Sequence, residues 1–154
     1  MSNKSLVISV LSFGLAIFVA LIWFETRPRS VAQPGYVQPE IAEELIRSYS
    51  PILGPEDAPV TIVEFFDPAC EACRAFHPIV KDILSQHDGK VRVVLRYTPF
   101  HGPGSETAIK LLEAARMQGK FEPVLESLLL YQNAWASHGA PDLEKIGKIA
   151  AGAG

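Results

Sequence analysis

The chain contains two cysteines, Cys70 and Cys73, which stand three residues apart in the segment FFDPACEACRAF. Residues at this spacing in a helix lie on one face, with Cβ atoms about 5–6 Å apart. A small adjustment therefore brings the two sulfurs to bonding distance. A disulfide between them would close almost no loop, so it would contribute little as a structural cross-link. The pair therefore indicates thiol chemistry.

The position of the pair predicts unequal roles for the two thiols. A strand-like segment over 60–66 precedes it, so Cys70 is expected at the start of the next helix. Backbone N–H groups and the dipole at a helix N-terminus stabilise a thiolate, which makes Cys70 the predicted attacking thiol and Cys73 the resolving one. Glu71 and Ala72 form the intervening dipeptide, and the charge of Glu71 disfavours the thiolate, which argues weakly against an extreme oxidant.

Two other interpretations of the pair stay open. Cys70, Cys73 and His77 have the spacing C-x2-C-x3-H, which supplies three metal ligands, but no second cysteine pair completes a tetrahedral site. The alternative function is then a membrane-tethered metal-binding module. His77 is otherwise expected to be a partly exposed helix residue. The two thiols could also be incidental.

The 154 residues suffice for one domain and a tail. A formal net charge of −3 gives no sign of a nucleic-acid partner. The uncharged segment over 6–24 would span roughly 28 Å as a helix, so it is the predicted transmembrane anchor behind a tail at 1–5. A signal peptide cleaved after Ala32 and a buried core helix are the alternatives.

Residues 25–50 are rich in proline and form the predicted linker, with a short helix within 38–50. The folded domain is expected over 51–154. The positive-inside count does not decide the orientation of the anchor. Because thiol oxidation belongs outside the cytoplasm, we expect a single-pass membrane protein whose domain faces the cell exterior.

Hydrophobic periodicity predicts alternating strands and helices in the domain. The predicted elements are a strand over 60–66, a helix over 70–86, a strand over 91–100, a helix over 106–117 with Ser105 as N-cap, a helix over 120–136 and a helix over 141–151. The two strands should be parallel, with a right-handed crossover. The predicted buried face of the helix over 70–86 is Phe76, Ile79, Val80, Ile83 and Leu84. That of the helix over 106–117 is Ala108, Leu111, Leu112 and Ala115. The leucines at 128–130 are expected in the core.

The segment VTIVEFFDPACEACRAFHP resembles the thioredoxin superfamily, most closely its DsbA-like bacterial thiol-disulfide oxidoreductases. The resemblance runs from about Leu53 to the chain's end and implies a thioredoxin-like α/β fold with a helical insert. Glu64 occupies the family's acidic position six residues before the nucleophilic cysteine, and Pro78 that of its helix-kinking proline. Glu64 is then expected beneath the disulfide, where a buried carboxyl of raised pKa exchanges protons. A solvated edge-strand position for Glu64 is the alternative.

The family's cis-proline loop, which faces the CxxC, has no counterpart here. Thr98-Pro99 follows the second predicted strand, and Ala140-Pro141 opens a helix. The last two strands and final helix are therefore also expected to be missing, and the fold to be incomplete at its C-terminus. The resemblance implies a place in the bacterial cytoplasmic membrane, with the domain facing the periplasm or cell exterior. The expected partners are extracytoplasmic protein thiols and disulfides and an unidentified redox protein. No cofactor is expected beyond a redox-active Cys70–Cys73 disulfide. An inactive truncated product is a further alternative.

Overall fold

A computed structural model describes the backbone of residues 3–25 and 39–153, which belong to two compact units divided after Gln38. In the first unit, helix α1 covers Asn3–Glu25. Across these two described ranges, no helix is both long and apolar enough to cross a membrane. The predicted span over 6–24 is therefore not supported.

The second unit alternates strands and helices after a short N-terminal helix. Its elements are α2 (Pro39–Leu45), β1 (Ile52–Leu53), β2 (Val60–Phe66), α3 (Glu71–Gln86), β3 (Val91–Tyr97), α4 (Pro103–Arg116), α5 (Phe121–Leu130), α6 (Gln132–Trp135) and α7 (Leu143–Ala153). Helix α2 is the short helix predicted within 38–50. Much of the remaining predicted linker, residues 26–38, lies outside the described residues.

The sheet has the strand order β1-β3-β2. β2 runs parallel to β3, with Val60 opposite Val91 and Phe66 opposite Tyr97, so the predicted parallel pair is confirmed. β1 is antiparallel to β3 and was not predicted, since two residues carry no periodic signal. β3 is the central strand, and its middle is buried. Among the described residues β2 pairs with β3 alone, so its other edge is open.

The helices α4, α5 and α7 pack against one another. The predicted stripe of α4 is confirmed, with Leu111 partly buried and the other three residues buried. The helix begins at Pro103 with Gly102 as N-cap, so the prediction of Ser105 as N-cap is wrong. Proline is favoured in the first turn because its fixed φ suits a helix and its missing N–H needs no partner there.

Three helical predictions need correction. Leu130, expected in the core with Leu128 and Leu129, is 72% exposed. The single helix expected over 120–136 ends at Leu130 and restarts as α6, with Tyr131 between them. On α3, Phe76 is 60% exposed and Ile79 52% exposed, so they are not buried as predicted. The helix packs inward through other residues of the predicted face, including Val80 and Leu84, which are both partly buried. Phe76 and Ile79 lie on a side that the described residues leave uncovered.

Candidate active site

Cys70 is the N-cap residue of α3, with the extended φ of −80° and ψ of 123° typical of that position. Its N–H donates to the Asp67 carbonyl at 3.1 Å, and its carbonyl accepts from the Arg74 N–H at 3.1 Å. Its side chain makes no capping hydrogen bond. The first-turn N–H groups of a helix have no intrahelical acceptor, so those of α3 can stabilise charge on a thiolate at its N-terminus.

Cys73 lies one turn further along α3. Both cysteines are free thiols, and both are partly buried. Burial raises the pKa of Cys73 to about 11, and the hydrogen bond and charge of Cys70 and the charge of Glu64 act in the same direction. A hydrogen bond with the Asp67 backbone opposes them. The Cys73 thiol therefore stays protonated at neutral pH and needs a base before it can attack.

Glu64 lies on β2, which pairs with β3 alone among the described residues, but it is half-buried rather than fully solvated. Burial raises the pKa of its carboxyl, and the charge of His77 lowers it in part. The charge of Glu64 also raises the pKa of Cys73, so the two groups interact electrostatically. The structure thus brings together a protonated thiol and a carboxyl whose pKa is shifted toward neutral values.

The other residues singled out on α3 are more exposed. Glu71 lies at the surface, where its Oε1 is 3.1 Å from His138 Nε2. Ala72 is also exposed. Helix α3 continues through Pro78, which cannot donate a backbone hydrogen bond to the Arg74 carbonyl four residues earlier.

His77 is buried, so the prediction of partial exposure is wrong. The reason is α5, from which Glu126 faces the ring, with 3.1 Å between His77 Nε2 and Glu126 Oε1. Lys81 Nζ also donates to that oxygen, at 2.7 Å. Within residues 3–25 and 39–153, no three histidine, cysteine or acidic side chains are grouped to hold a metal ion. The described residues thus do not assemble Cys70, Cys73 and His77 as ligands.

Asp67 is a site residue that the sequence analysis missed. It follows β2 immediately, and only 1% of it is exposed. Its Oδ1 accepts from the Ala69 N–H at 2.9 Å. Its Oδ2 accepts from the Phe100 N–H at 2.8 Å, from the His101 N–H at 3.2 Å and from His101 Nδ1 at 2.8 Å. Asp67 therefore joins the turn before Cys70 to the loop after β3.

Burial alone would raise the pKa of Asp67. Hydrogen bonds from His101, Ser105 and the Ala69 amide, together with the charge of His101, outweigh burial and lower the pKa. Asp67 is thus a stably ionised group in the site. In the sequence, Asp67 is a residue that ends a strand before a proline. No local pattern indicates its distant partners Phe100 and His101.

Gln132 is the second residue that sequence reasoning missed. It opens α6 and is fully buried. Its Nε2 donates to the Pro68 carbonyl at 2.8 Å and to the Cys70 carbonyl at 3.0 Å. The helical part of the unit therefore contacts the backbone on either side of Ala69.

The comparisons with known proteins agree with this geometry. The family model described as Thioredoxin matches residues 47–153. A 63-residue stretch is 43% identical to disulfide bond formation protein D of Bacillus subtilis, covering 38% of this chain and 28% of that protein. An 84-residue stretch is 36% identical to the Na(+)/H(+) antiporter NhaA 3 of Salinispora tropica, covering 53% of this chain and 13% of the antiporter.

Among solved structures, a thioredoxin-like oxidoreductase from Silicibacter pomeroyi superposes with a TM-score of 0.59 at 33% identity. The match covers 70% of this chain and 58% of that protein's chain. The chain thus spans less than two thirds of each of these relatives. Its strands and helices form a thioredoxin-like α/β fold, as the residues around Cys70 predict. The chain belongs to the thioredoxin family, and the predicted resemblance to its DsbA-like members is confirmed.

Proposed function

We propose that this chain exchanges disulfides with protein thiols through Cys70, Glu71, Ala72 and Cys73. The observation that carries the proposal is the asymmetry of the two thiols. Cys70 lies at the N-terminus of a 16-residue helix. Cys73 lies one turn inside, with a pKa raised to about 11. This arrangement separates the thiol that meets substrate from the thiol that resolves the mixed disulfide.

In the reducing direction, the Cys70 thiolate attacks one sulfur of a substrate disulfide. A mixed disulfide forms, and the other substrate sulfur leaves as a thiolate. Cys73 then loses its proton and attacks the Cys70 sulfur. The Cys70–Cys73 bond forms, and the second substrate sulfur leaves as a thiolate. The substrate gains two electrons, and the cysteine pair loses two. The reverse sequence oxidises a substrate dithiol.

Glu64 is the proposed acceptor of the Cys73 proton. Its half-buried carboxyl has a raised pKa and interacts electrostatically with Cys73. A group whose pKa is nearer neutral exchanges protons more readily at working pH than an ordinary carboxylate. No cofactor enters this scheme, since the cysteine pair itself gains two electrons as the dithiol and loses them as the disulfide.

The proposed substrates are extracytoplasmic proteins. A CxxC pair that cycles through a disulfide suits an oxidising compartment, and the similarity to disulfide bond formation protein D supports the assignment. Each cycle leaves the pair oxidised or reduced, so a second thiol–disulfide protein must restore it. The direction of net electron transfer depends on the reduction potentials of this chain and its two partners.

Trapping tests the proposal directly. The full chain, Cys70→Ser and Cys73→Ser are each mixed at pH 7 with a peptide that contains one disulfide. We expect Cys73→Ser to accumulate a mixed disulfide, visible as an added mass, because Cys70 attacks and nothing resolves it. Cys70→Ser should trap little. Equal trapping by both variants would show that the roles are wrongly assigned. Exchange by the unmodified chain no faster than by an equal concentration of dithiothreitol would exclude the function.

A further inference from the structure

Gln132 makes an unusual pair of contacts for a side chain so distant in sequence. Its two donor bonds reach carbonyls 64 and 62 residues away, at Pro68 and Cys70. Its Oε1 is buried without a hydrogen-bond partner among the described residues. An amide turned the other way would place an acceptor against two carbonyl acceptors. The backbone around Cys70 therefore sets the orientation of this amide.

The two bonds hold two peptide units, one between Pro68 and Ala69 and one between Cys70 and Glu71. A trans peptide is planar, so its C=O and N–H point in opposite directions. The unit between Pro68 and Ala69 is held at both ends, because Gln132 donates to its carbonyl and Asp67 accepts from its N–H. Gln132 and Asp67 therefore clamp the turn that leads into Cys70.

The unit between Cys70 and Glu71 is held at its carbonyl. That oxygen accepts from Gln132 and from the Arg74 N–H. The Glu71 N–H of the same unit is directed oppositely, and it belongs to the first turn of α3. Fixing the carbonyl therefore fixes the direction of an N-terminal amide next to the Cys70 thiol. Such amides stabilise a thiolate at a helix start.

We propose that Gln132 is a positioning residue that orients the Cys70–Glu71 peptide so that α3 stabilises the Cys70 thiolate. This inference rests on the proposed thiol-disulfide exchange for its biological meaning. It acts through the backbone and involves no contact between Gln132 and substrate. It also gives the helical insert a role in the reaction, because Gln132 of α6 donates to the carbonyls of Pro68 and Cys70.

The test uses the full chain in a Cys73→Ser background, so that Cys70 is the single thiol. Gln132→Met keeps the side chain's length and removes both donors, and Gln132→Glu replaces them with an acceptor. Gln118→Met is the matched control, because Gln118 is exposed and among the described residues its Nε2 donates only to the nearby Ala114 carbonyl, at 2.9 Å. The readout is the pH midpoint of Cys70 alkylation by iodoacetamide, with urea unfolding of each variant measured alongside.

We expect the midpoint to rise in Gln132→Met by roughly 0.2–0.7 pH unit, the share of one helix-terminal interaction. Gln132→Glu should raise it further, and Gln118→Met should leave it unchanged. A folded Gln132→Met whose profile superimposes on that of the parent would overturn the inference. If the variants do not fold, an NMR titration of the parent tests the inference instead. The side-chain NH₂ resonances of ¹⁵N-labelled Gln132 should shift with the Cys70 titration, and resonances that stay fixed through it would also overturn the inference.

The two proposals fail in different ways. If the unmodified chain exchanges disulfides no faster than a small dithiol, the proposed function fails, yet the alkylation midpoint still reports on Gln132. If exchange is fast and the midpoint does not depend on Gln132, the positioning role fails alone.

Discussion

Replacing the buried carboxylate of Asp67 by an amide should strongly destabilise the domain. Asp67→Asn preserves shape, but the new NH₂ must face a backbone N–H whichever way it is turned. It meets either the Ala69 N–H or the Phe100 N–H. One buried donor then loses its acceptor, at a cost of about 1–3 kcal/mol, and the charge-assisted bond from His101 becomes a neutral one. The total is roughly 2–4 kcal/mol, a large share of the 5–15 kcal/mol typical of a domain.

Urea unfolding at pH 7 measures this loss through tryptophan fluorescence, since Trp135 is fully buried and becomes exposed on unfolding. Asp82→Asn on the exposed face of α3 is the control, and a surface change of this kind stays within about 0.5 kcal/mol. A loss below about 1 kcal/mol in Asp67→Asn would show that the carboxylate is not the anchor of this loop.

The pH dependence provides an independent check. Hydrogen bonds lower the pKa of Asp67 from its ordinary value of 3.8 despite burial. Its contribution is therefore fully present above the pKa of the unfolded chain and is lost as pH falls through the lower folded pKa. As pH is lowered below 3.8, the free energy of unfolding should decrease more steeply for the parent than for Asp67→Asn. Equal slopes would contradict the reasoning.

Three further expectations concern other residues. Glu64→Gln should slow resolution by Cys73 near neutral pH by on the order of 10²-fold, and a change below about threefold in stopped-flow exchange would count against a proton-transfer role. Leu128→Ala, at a fully buried position, should cost about 2–5 kcal/mol in urea unfolding. Leu130→Ala, at a position 72% exposed, should cost less than about 0.5 kcal/mol, and similar losses would mean that α5 packs differently. Because His77 pairs with Glu126, EDTA should leave thiol labelling unchanged, and faster labelling after chelation would instead support the metal-binding alternative.

Local pattern is sufficient to predict much of the fold. The strand over 60–66 coincides with β2, and α3 begins directly after Cys70. The buried stripe of α4 follows from helical period alone. These features depend on the order of apolar and polar residues within one segment, so the sequence contains them directly. The same locality places Cys70 at a helix start, which is the chemical basis of the proposed function.

The tertiary structure decided the surroundings of the two thiols. Gln132 reaches Cys70 across 62 residues, and Asp67 reaches His101 across 34. Neither pair has a spacing or periodicity that marks it, because the partners meet only after separate elements pack. Burial is equally a property of the packed unit: the same helix that exposes Phe76 buries His77 against Glu126. The sequence by itself therefore determined which atoms could carry the chemistry, while the fold determined which dipoles and charges surround them, since those come from segments far apart in the chain.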